Sequence, residues 1–198
     1  MIKEKIIKTT VELIKFVGVD GLSVRKIAEL ADVNVASINY HFGSKDKLIN
    51  EILKTSLLEF RGTFNILDNA EVSPIKRLRQ FLLDYLSLLK AHPELFKIVL
   101  SPEKLFDSHL EYVEFLKYQG FDKLTKTVLE IVGYSNKDKV NIIVRQMFAS
   151  IFFPVIILGN VNSKIKEAME QNMFGDYSAE ENIDLFLDFY FSKFNKET

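Results

Sequence analysis

The chain has 198 residues, 47% of them hydrophobic, and a formal net charge of -1. That composition supports a real core and excludes a globally disordered chain. The charge excludes a protein that holds nucleic acid by bulk attraction, and the absence of cysteine excludes disulfides, thiolate metal sites and thiol nucleophiles.

Charge is slightly uneven along the chain. Residues 1–54 hold 9 Lys/Arg against 7 Asp/Glu, a balance of +2, and the remainder holds 17 against 20, a balance of -3. No apolar signal region precedes the first helical pattern, so a cytoplasmic protein is expected. The longest apolar run, Met147 to Leu158, is shorter than the about 20 residues that span a bilayer, so it reads as a buried core helix and no membrane partner is expected.

Apolar residues recur at intervals of three and four from end to end, which predicts an all-α fold. The first helix covers Ile2 to Val17, with Ile6, Thr10, Leu13, Ile14 and Val17 on one face, and Gly18 stops it. Ser23 caps a second helix, about Val24 to Ala31, with Ile27 and either Leu30 or Ala31 inward. Asp32-Val33 makes a turn, and Asn34 caps a third helix, about Val35 to His41. Gly43 breaks the chain, and Ser44 caps a fourth helix from Lys45 to roughly Ile66.

Ser73-Pro74 opens a helix to about Ala91, proline being suited to the first helical position. His92-Pro93 ends it and starts a short segment to Leu100. Ser101-Pro102 opens a helix to about Gln119, which Gly120 separates from one over about Asp122 to Val132. Ser135-Asn136-Lys137-Asp138 resembles a capping box and starts a long apolar helix to about Leu158, kinked near its end by Pro154 and terminated by Gly159-Asn160. A weaker helix covers about Ser163 to Asn172. Ser178-Ala179-Glu180-Glu181 is a second capping box, and its helix runs to about Phe194.

The second and third helices with their short turn form a helix-turn-helix. On a wheel of about 100° per residue, Phe42 lies about 40° from Ile38, so these two form an inward seam. Ala36 and Tyr40 fall opposite, with Ser37 and Asn39 on the flanks. The outward face is therefore small, hydroxylic and amide, which suits close approach to base edges. Val35 either closes the seam or touches a thymine methyl. His41, Ser44 and Lys45 lie at the far end, where phosphates would run, and the start of the fourth helix could take a phosphate on its N–H groups.

The runs Val24-Arg25-Lys26-Ile27-Ala28, Ala31-x-Val33 and Ile38-Asn39-Tyr40-His41-Phe42-Gly43-Ser44-Lys45-Asp46-x-Leu48, with Phe16-x-Gly18-x-Asp20-Gly21-Leu22 upstream, resemble the DNA-binding head of the tetracycline-repressor (TetR) family of bacterial regulators. The resemblance covers roughly the first quarter of the chain, and the remainder is similar only in its helical organisation. It implies a DNA-binding domain over residues 1–48 and an effector-binding and dimerisation domain over 49–198. It further implies that Val35, Ala36, Ser37 and Asn39 read a major groove, that Tyr40, His41, Ser44 and Lys45 clamp phosphates, and that Arg25 in some members reaches a base. Asn39 stands where many members carry Tyr, and Val35 where many carry a polar residue, so base preference does not carry over; asparagine suits adenine.

One head of this size covers too few base pairs, so a homodimer reading two half-sites of a palindromic operator is expected. The last helix offers Ile183, Phe186, Leu187, Tyr190 and Phe194 at helical spacing, widened by Leu185 and Phe189; the helix opened by Ser135 adds Ile143, Met147, Ile151 and Val155. These residues form either a dimer surface or the subunit's own core. The middle helices are rich in aromatics, and the resemblance implies a pocket there whose small effector moves the two heads apart. Phe64, Phe81, Tyr85, Phe96, Phe115, Tyr118, Phe148 and Phe152 are the candidate lining, suited to an apolar or amphipathic ligand, unless they are ordinary core. Arg145 interrupts the most apolar helix; it pairs with a ligand carboxylate, pairs with a carboxylate of the subunit, or lies at a solvated edge.

These features predict a ligand-responsive homodimeric transcriptional regulator, a repressor released from double-stranded DNA by a small molecule. No cofactor, metal or catalytic residue is expected, since no Ser/His/Asp set, metal-ligand cluster or glycine-rich phosphate loop is present. The alternative is an all-helical carrier of small molecules that has lost DNA reading.

Overall fold

The computed structural model describes residues 1–92, 106–133, 136–160 and 178–192, together with 164, 167, 169 and 194. Among them the regular structure is helical throughout, with no strand. The chain divides into two compact units, residues 1–58 with 94–113, and residues 59–93 with 114–198. This division by contacts is drawn on a different basis from the functional one at residue 48.

The first unit is built on α1 (Ile2–Val17), α2 (Val24–Leu30) and α3 (Val35–Phe42), which pack on one another. Ile6, Thr10, Leu13 and Ile14 form the buried face of α1, while Val17 is exposed. The Thr10 hydroxyl donates to the Ile6 carbonyl at 2.7 Å, which disposes of a polar group on an otherwise apolar face. Ile27 and Ala28 bury α2 together with Ala31, and Leu30 points out. The cap at Ser23 accepts the Lys26 N–H, as the sequence predicts. The turn to α3 uses Asp32 at φ 47°, a conformation that Asp tolerates better than most residues.

Gly43 ends α3 at φ 77°, and its glycine is needed for that angle rather than for space, since a Cβ there would meet only the Lys47 side chain at 3.6 Å. The Ser44 hydroxyl accepts the Lys47 N–H at 3.2 Å and starts α4 (Lys45–Thr63). The predicted end near Ile66 resolves into an α-helix to Thr63 followed by a 3₁₀ turn, Phe64–Asp68.

The second unit is centred on α5 (Pro74–Ala91), which packs against α7 (Phe121–Val132), α9 (Phe153–Asn160) and α10 (Ala179–Phe191). The helix α8 (Lys137–Ile151) packs on α7, α9 and α10. The expected kink at Pro154 is a break at Phe152, where the chain turns between α8 and α9; proline cannot donate to the carbonyl one turn back. By length and composition alone Lys137–Leu158 could cross a membrane, but it is broken there, and Val140, Val144, Met147 and Ile151 are buried in the unit's core. Asn136 is the observed cap, accepting N–H groups of Asp138 and Lys139. Ser178 forms the predicted box with Glu181. The segment after His92, the Ser101-Pro102 start, Ser135 and most of the weak helix lie outside the described residues.

Gly120 does not separate two helices. From α6 (Asp107–Phe115) the chain continues through a π-helical stretch, Leu116–Gly120, directly into α7. Gly120 is there because Phe64 leans on its backbone: a Cβ would lie 3.0 Å from the ring.

Gly43→Ala should cost about 1–3 kcal/mol in chemical unfolding, the penalty of a strained backbone angle. Gly62→Ala, where nothing lies within 4 Å of the added Cβ, should be neutral or stabilising. Equal effects of the two would show that Gly43's angle is not the constraint.

Candidate nucleic-acid interface

The helix α3 is eight residues long and is fastened at three points. Asn34 accepts the Ala36 N–H at 2.8 Å and sets the entry. Ile38 and Phe42, 0% and 5% exposed, hold the inner face. Gly43 sets the exit. What remains outward is Ala36, Asn39, Tyr40 and His41, all exposed, with Val35 and Ser37 half-buried at the flanks. Tyr40 is 86% exposed, a costly position for a large ring with nothing to cover it. Its neighbour His41 meets it edge-on at 5.2 Å. Ala36 and Tyr40 thus lie outward, as the helical wheel predicts, with Ser37 and Asn39 beside them, and Val35, which the sequence leaves between seam and groove, is half-buried.

Arg25 stands exposed on α2. Lys45 is differently placed from the free cation expected: it is half-buried, and its Nζ donates to the Leu22 carbonyl at 3.1 Å. It therefore ties the α3–α4 junction to the loop before α2 and keeps its remaining N–H groups for another acceptor. The Ser44 hydroxyl, similarly, is already an acceptor for the α4 cap. Lys47, which lies outside the expected phosphate-contacting set, is exposed beside Gly43. Its signal was present in the spacing, one turn beyond Gly43.

In the second unit, six of the expected pocket residues form a closed cluster. Phe64 lies 4.7 Å from Phe81 and 5.2 Å from Phe115; Tyr85 lies 5.0 Å from Phe152, which lies 4.8 Å from Phe148. Those ring spacings are ordinary packed aromatic contacts. Tyr118 is a correction: it is 67% exposed. In an α-helix it would share a side with Phe115, but the π-helical stretch has wider turns, so Phe115 and Gly120 face in and Tyr118 faces out. Arg145 is also a correction as a pocket residue, because it is exposed on the outer face of α8. Phe96 lies outside the described residues.

The apolar stripe of the last helix is likewise reassigned. Ile183, Phe186 and Leu187 are buried within the protomer, as are Met147 and Ile151 on α8. Ile143, Val155, Tyr190 and Phe194 are half-buried. Among the described residues of α8, α9 and α10, the exposed large apolar side chains are Leu185 and Phe189 on α10, Ile142 on α8 and Phe153 on α9. A helix has room for two stripes: residues about 200° from Leu187 emerge opposite its buried seam. Arg145 and Gln146 share this outer face, and Tyr190 donates to Gln146 at 3.4 Å.

Two ion pairs were not readable from periodicity. Arg77 on α5 is buried and reaches Glu130 on α7. Arg79 grips Asp184 on α10 through Nε at 2.6 Å and Nη2 at 2.8 Å. The Arg79 donors hold the Asp184 carboxyl below the usual carboxylate range. An open cleft of about 450 Å³ lies beside Arg77, between the 3₁₀ turn, the start of α5 and α7, and its walls mix polar and apolar groups about equally.

Residues 6–52 match the family model described as bacterial regulatory proteins, tetR family. The chain is 35% identical over 102 residues to the Probable HTH-type transcriptional regulator YttP of Bacillus subtilis strain 168, covering 49% of this chain and 48% of that protein. The chain thus aligns with about half the length of this curated relative. The TetR family transcriptional regulator PfmR from Thermus thermophilus superposes with a TM-score of 0.65 at 19% identity, covering 94% of this chain and 97% of that one. AibR, solved in complex with isovaleryl coenzyme A and operator DNA, superposes with a TM-score of 0.66 at 16% identity, over 96% and 98%. HlyIIR, a hemolysin II transcriptional regulator, gives 0.60 at 22%, over 93% and 96%. At these identities the structural likenesses establish the fold.

Lys45→Ala should lower stability in chemical unfolding by about 1 kcal/mol through loss of its bond to Leu22. An unchanged unfolding curve would show that this bond carries no stability.

Proposed function

We propose that the chain is a member of the tetR family of bacterial regulatory proteins, whose model matches residues 6–52, and that it is a homodimeric, DNA-binding transcriptional regulator. It acts as a repressor in the cytoplasm, bound to a palindromic operator and released by a small molecule, and it performs no catalysis. Residues 1–48 bind DNA, and residues 49–198 bind the effector and the partner copy. The observation that carries this reading is the face of α3, where an exposed Tyr40 and small polar neighbours are fixed by a buried apolar pair.

In this reading Ser37 and Asn39 read base edges, with Val35 and Ala36 close to the groove floor. Tyr40, His41, Ser44 and Lys45 hold phosphates, and Arg25 reaches from α2. With a net charge of -1 the affinity comes from two heads at a fixed separation rather than from a basic surface.

The partner copy covers the exposed apolar side chains Leu185, Phe189, Ile142 and Phe153, with Arg145 and Tyr190 on the same two helices α8 and α10, residue types favoured at interfaces. The effector enters among Phe64, Phe81, Tyr85, Phe115, Phe148 and Phe152. Because these rings are packed together, entry requires their rearrangement, and the ligand favours a state with a different head separation. AibR, with its coenzyme A ester and operator DNA, supports this pairing of ligand and DNA on one such fold.

Selection from random duplexes should enrich a palindrome; no enrichment in any salt would favour a carrier that no longer reads DNA. Lys45→Ala should weaken binding to all sequences and reduce its salt dependence, whereas Ser37→Ala should change the preference among sites. Identical effects on every duplex would contradict this division of labour. Leu185→Asp with Phe189→Asp should give monomers in analytical ultracentrifugation, and a surviving dimer would place the interface elsewhere.

A further inference from the structure

The open cleft beside α5 is separate from the buried ring cluster, and its chemistry is different. It is walled by Leu67 to Pro74, by Arg77, and by Lys123, Lys126, Thr127 and Glu130 of α7. Arg77 is 6% exposed. Its Nη1 donates to the Leu67 carbonyl and its Nη2 to one oxygen of Glu130, but its Nε has no partner. Nε and Nη2 are the parallel prongs of a guanidinium fork, spaced for the two oxygens of one oxyanion. Arg79, two residues along the same helix, shows the fork filled, both prongs on Asp184. In Arg77 it is half filled, and by a carboxylate that is itself 49% exposed. An unpaired buried donor is an expensive feature to keep.

A second feature faces the same cleft. The first turn of α5 starts there, and its cap Ser73 makes no side-chain cap bond, while Pro74 follows at the first helical position. Ser23, Asn34, Asn136 and Ser178 all accept N–H groups at their helix starts. The Ser73 hydroxyl and the positive end of α5 are therefore available to an acceptor.

We propose that this cleft binds a small solute bearing a carboxylate or a phosphate. Its oxygens take Nε and Nη2 of Arg77 together, Glu130 turns out to water, and Ser73 with the first turn of α5 completes the site. The ionisable groups in the walls are Arg77, Lys123 and Lys126 against Asp68, Glu71 and Glu130, which balance. Lys123 is already paired with Asp68, and Lys126 with Asp122. The anion is therefore selected by the fork and by displacement of Glu130, not by a positive field. This inference stands independently of the DNA-binding reading.

The full chain is titrated with inorganic phosphate and, separately, with acetate, against chloride at matched ionic strength, by thermal shift and calorimetry. A saturable response to one of them is expected, and the arm that responds identifies the oxyanion. Glu130→Gln removes the competing carboxylate and should tighten binding several-fold. Arg77→Lys keeps the charge but loses the fork and should weaken binding about tenfold or more; should it not fold, Ser73→Ala supplies the weakening variant. No saturable response to either anion in both the native chain and Glu130→Gln would overturn the proposal. So would a Glu130→Gln variant that binds no more tightly than the native chain.

Discussion

An eight-residue helix cannot hold itself together in water, and α3 is kept in place by the burial of two side chains, Ile38 and Phe42. Each contributes on the order of 1.5–3 kcal/mol by leaving water, and their spacing of four brings both to one side. Concentrating the attachment in two positions releases the others from packing. Ala36, Asn39 and Tyr40, all exposed, need not pack into the chain's interior, so their identities are free to answer to what lies outside it. The caps at Asn34 and Ser44 and the sharp exit at Gly43 serve the same end, since they fix where α3 begins and stops without occupying its outer face.

Much of this was legible in the sequence because the relevant signals are local. A cap, a proline at a first helical position and a glycine past a last turn act over three or four residues, and α2, α3, α4 and α5 begin where those signals stand. The seam at Ile38 and Phe42 follows from periodicity alone. Signals that depend on partners elsewhere were hidden. Gly120 resembles a break in sequence, yet it is a contact with Phe64. The π-helical turn beside it shifts the phase of every following residue, and so Tyr118 emerges on the side that an α-helical wheel would bury. In α10 the periodic set Ile183, Phe186 and Leu187 was visible, but periodicity cannot say which of two apolar stripes faces the subunit's own core.

The second unit holds two contrasting environments. The ring cluster around Phe64 and Tyr85 is closed and cohesive, and opening it costs packed aromatic contacts. The cleft at Arg77 is open, mixed in its lining, and carries a half-satisfied guanidinium. A closed apolar core suits a ligand that must rearrange the fold in order to bind. An open cleft with a half-filled guanidinium suits one that exchanges a single side chain. Both rest against α5, whose buried face carries Phe81 and Tyr85 and whose first turns carry Ser73 and Arg77.

The grip of Arg79 on Asp184 has a consequence for how α10 is set on its axis. A helix packed only by apolar side chains can slip in register with modest loss, and a one-residue slip turns it by about 100°. A two-pronged bond to a rigid fork tolerates no such rotation. It acts as a key in a shaft: with Asp184 engaged, Leu185 and Phe189 are presented at one azimuth, and the symmetry axis of any assembly built on them is fixed with it. A single surface carboxylate would in this way decide the angle at which two copies of the chain face each other.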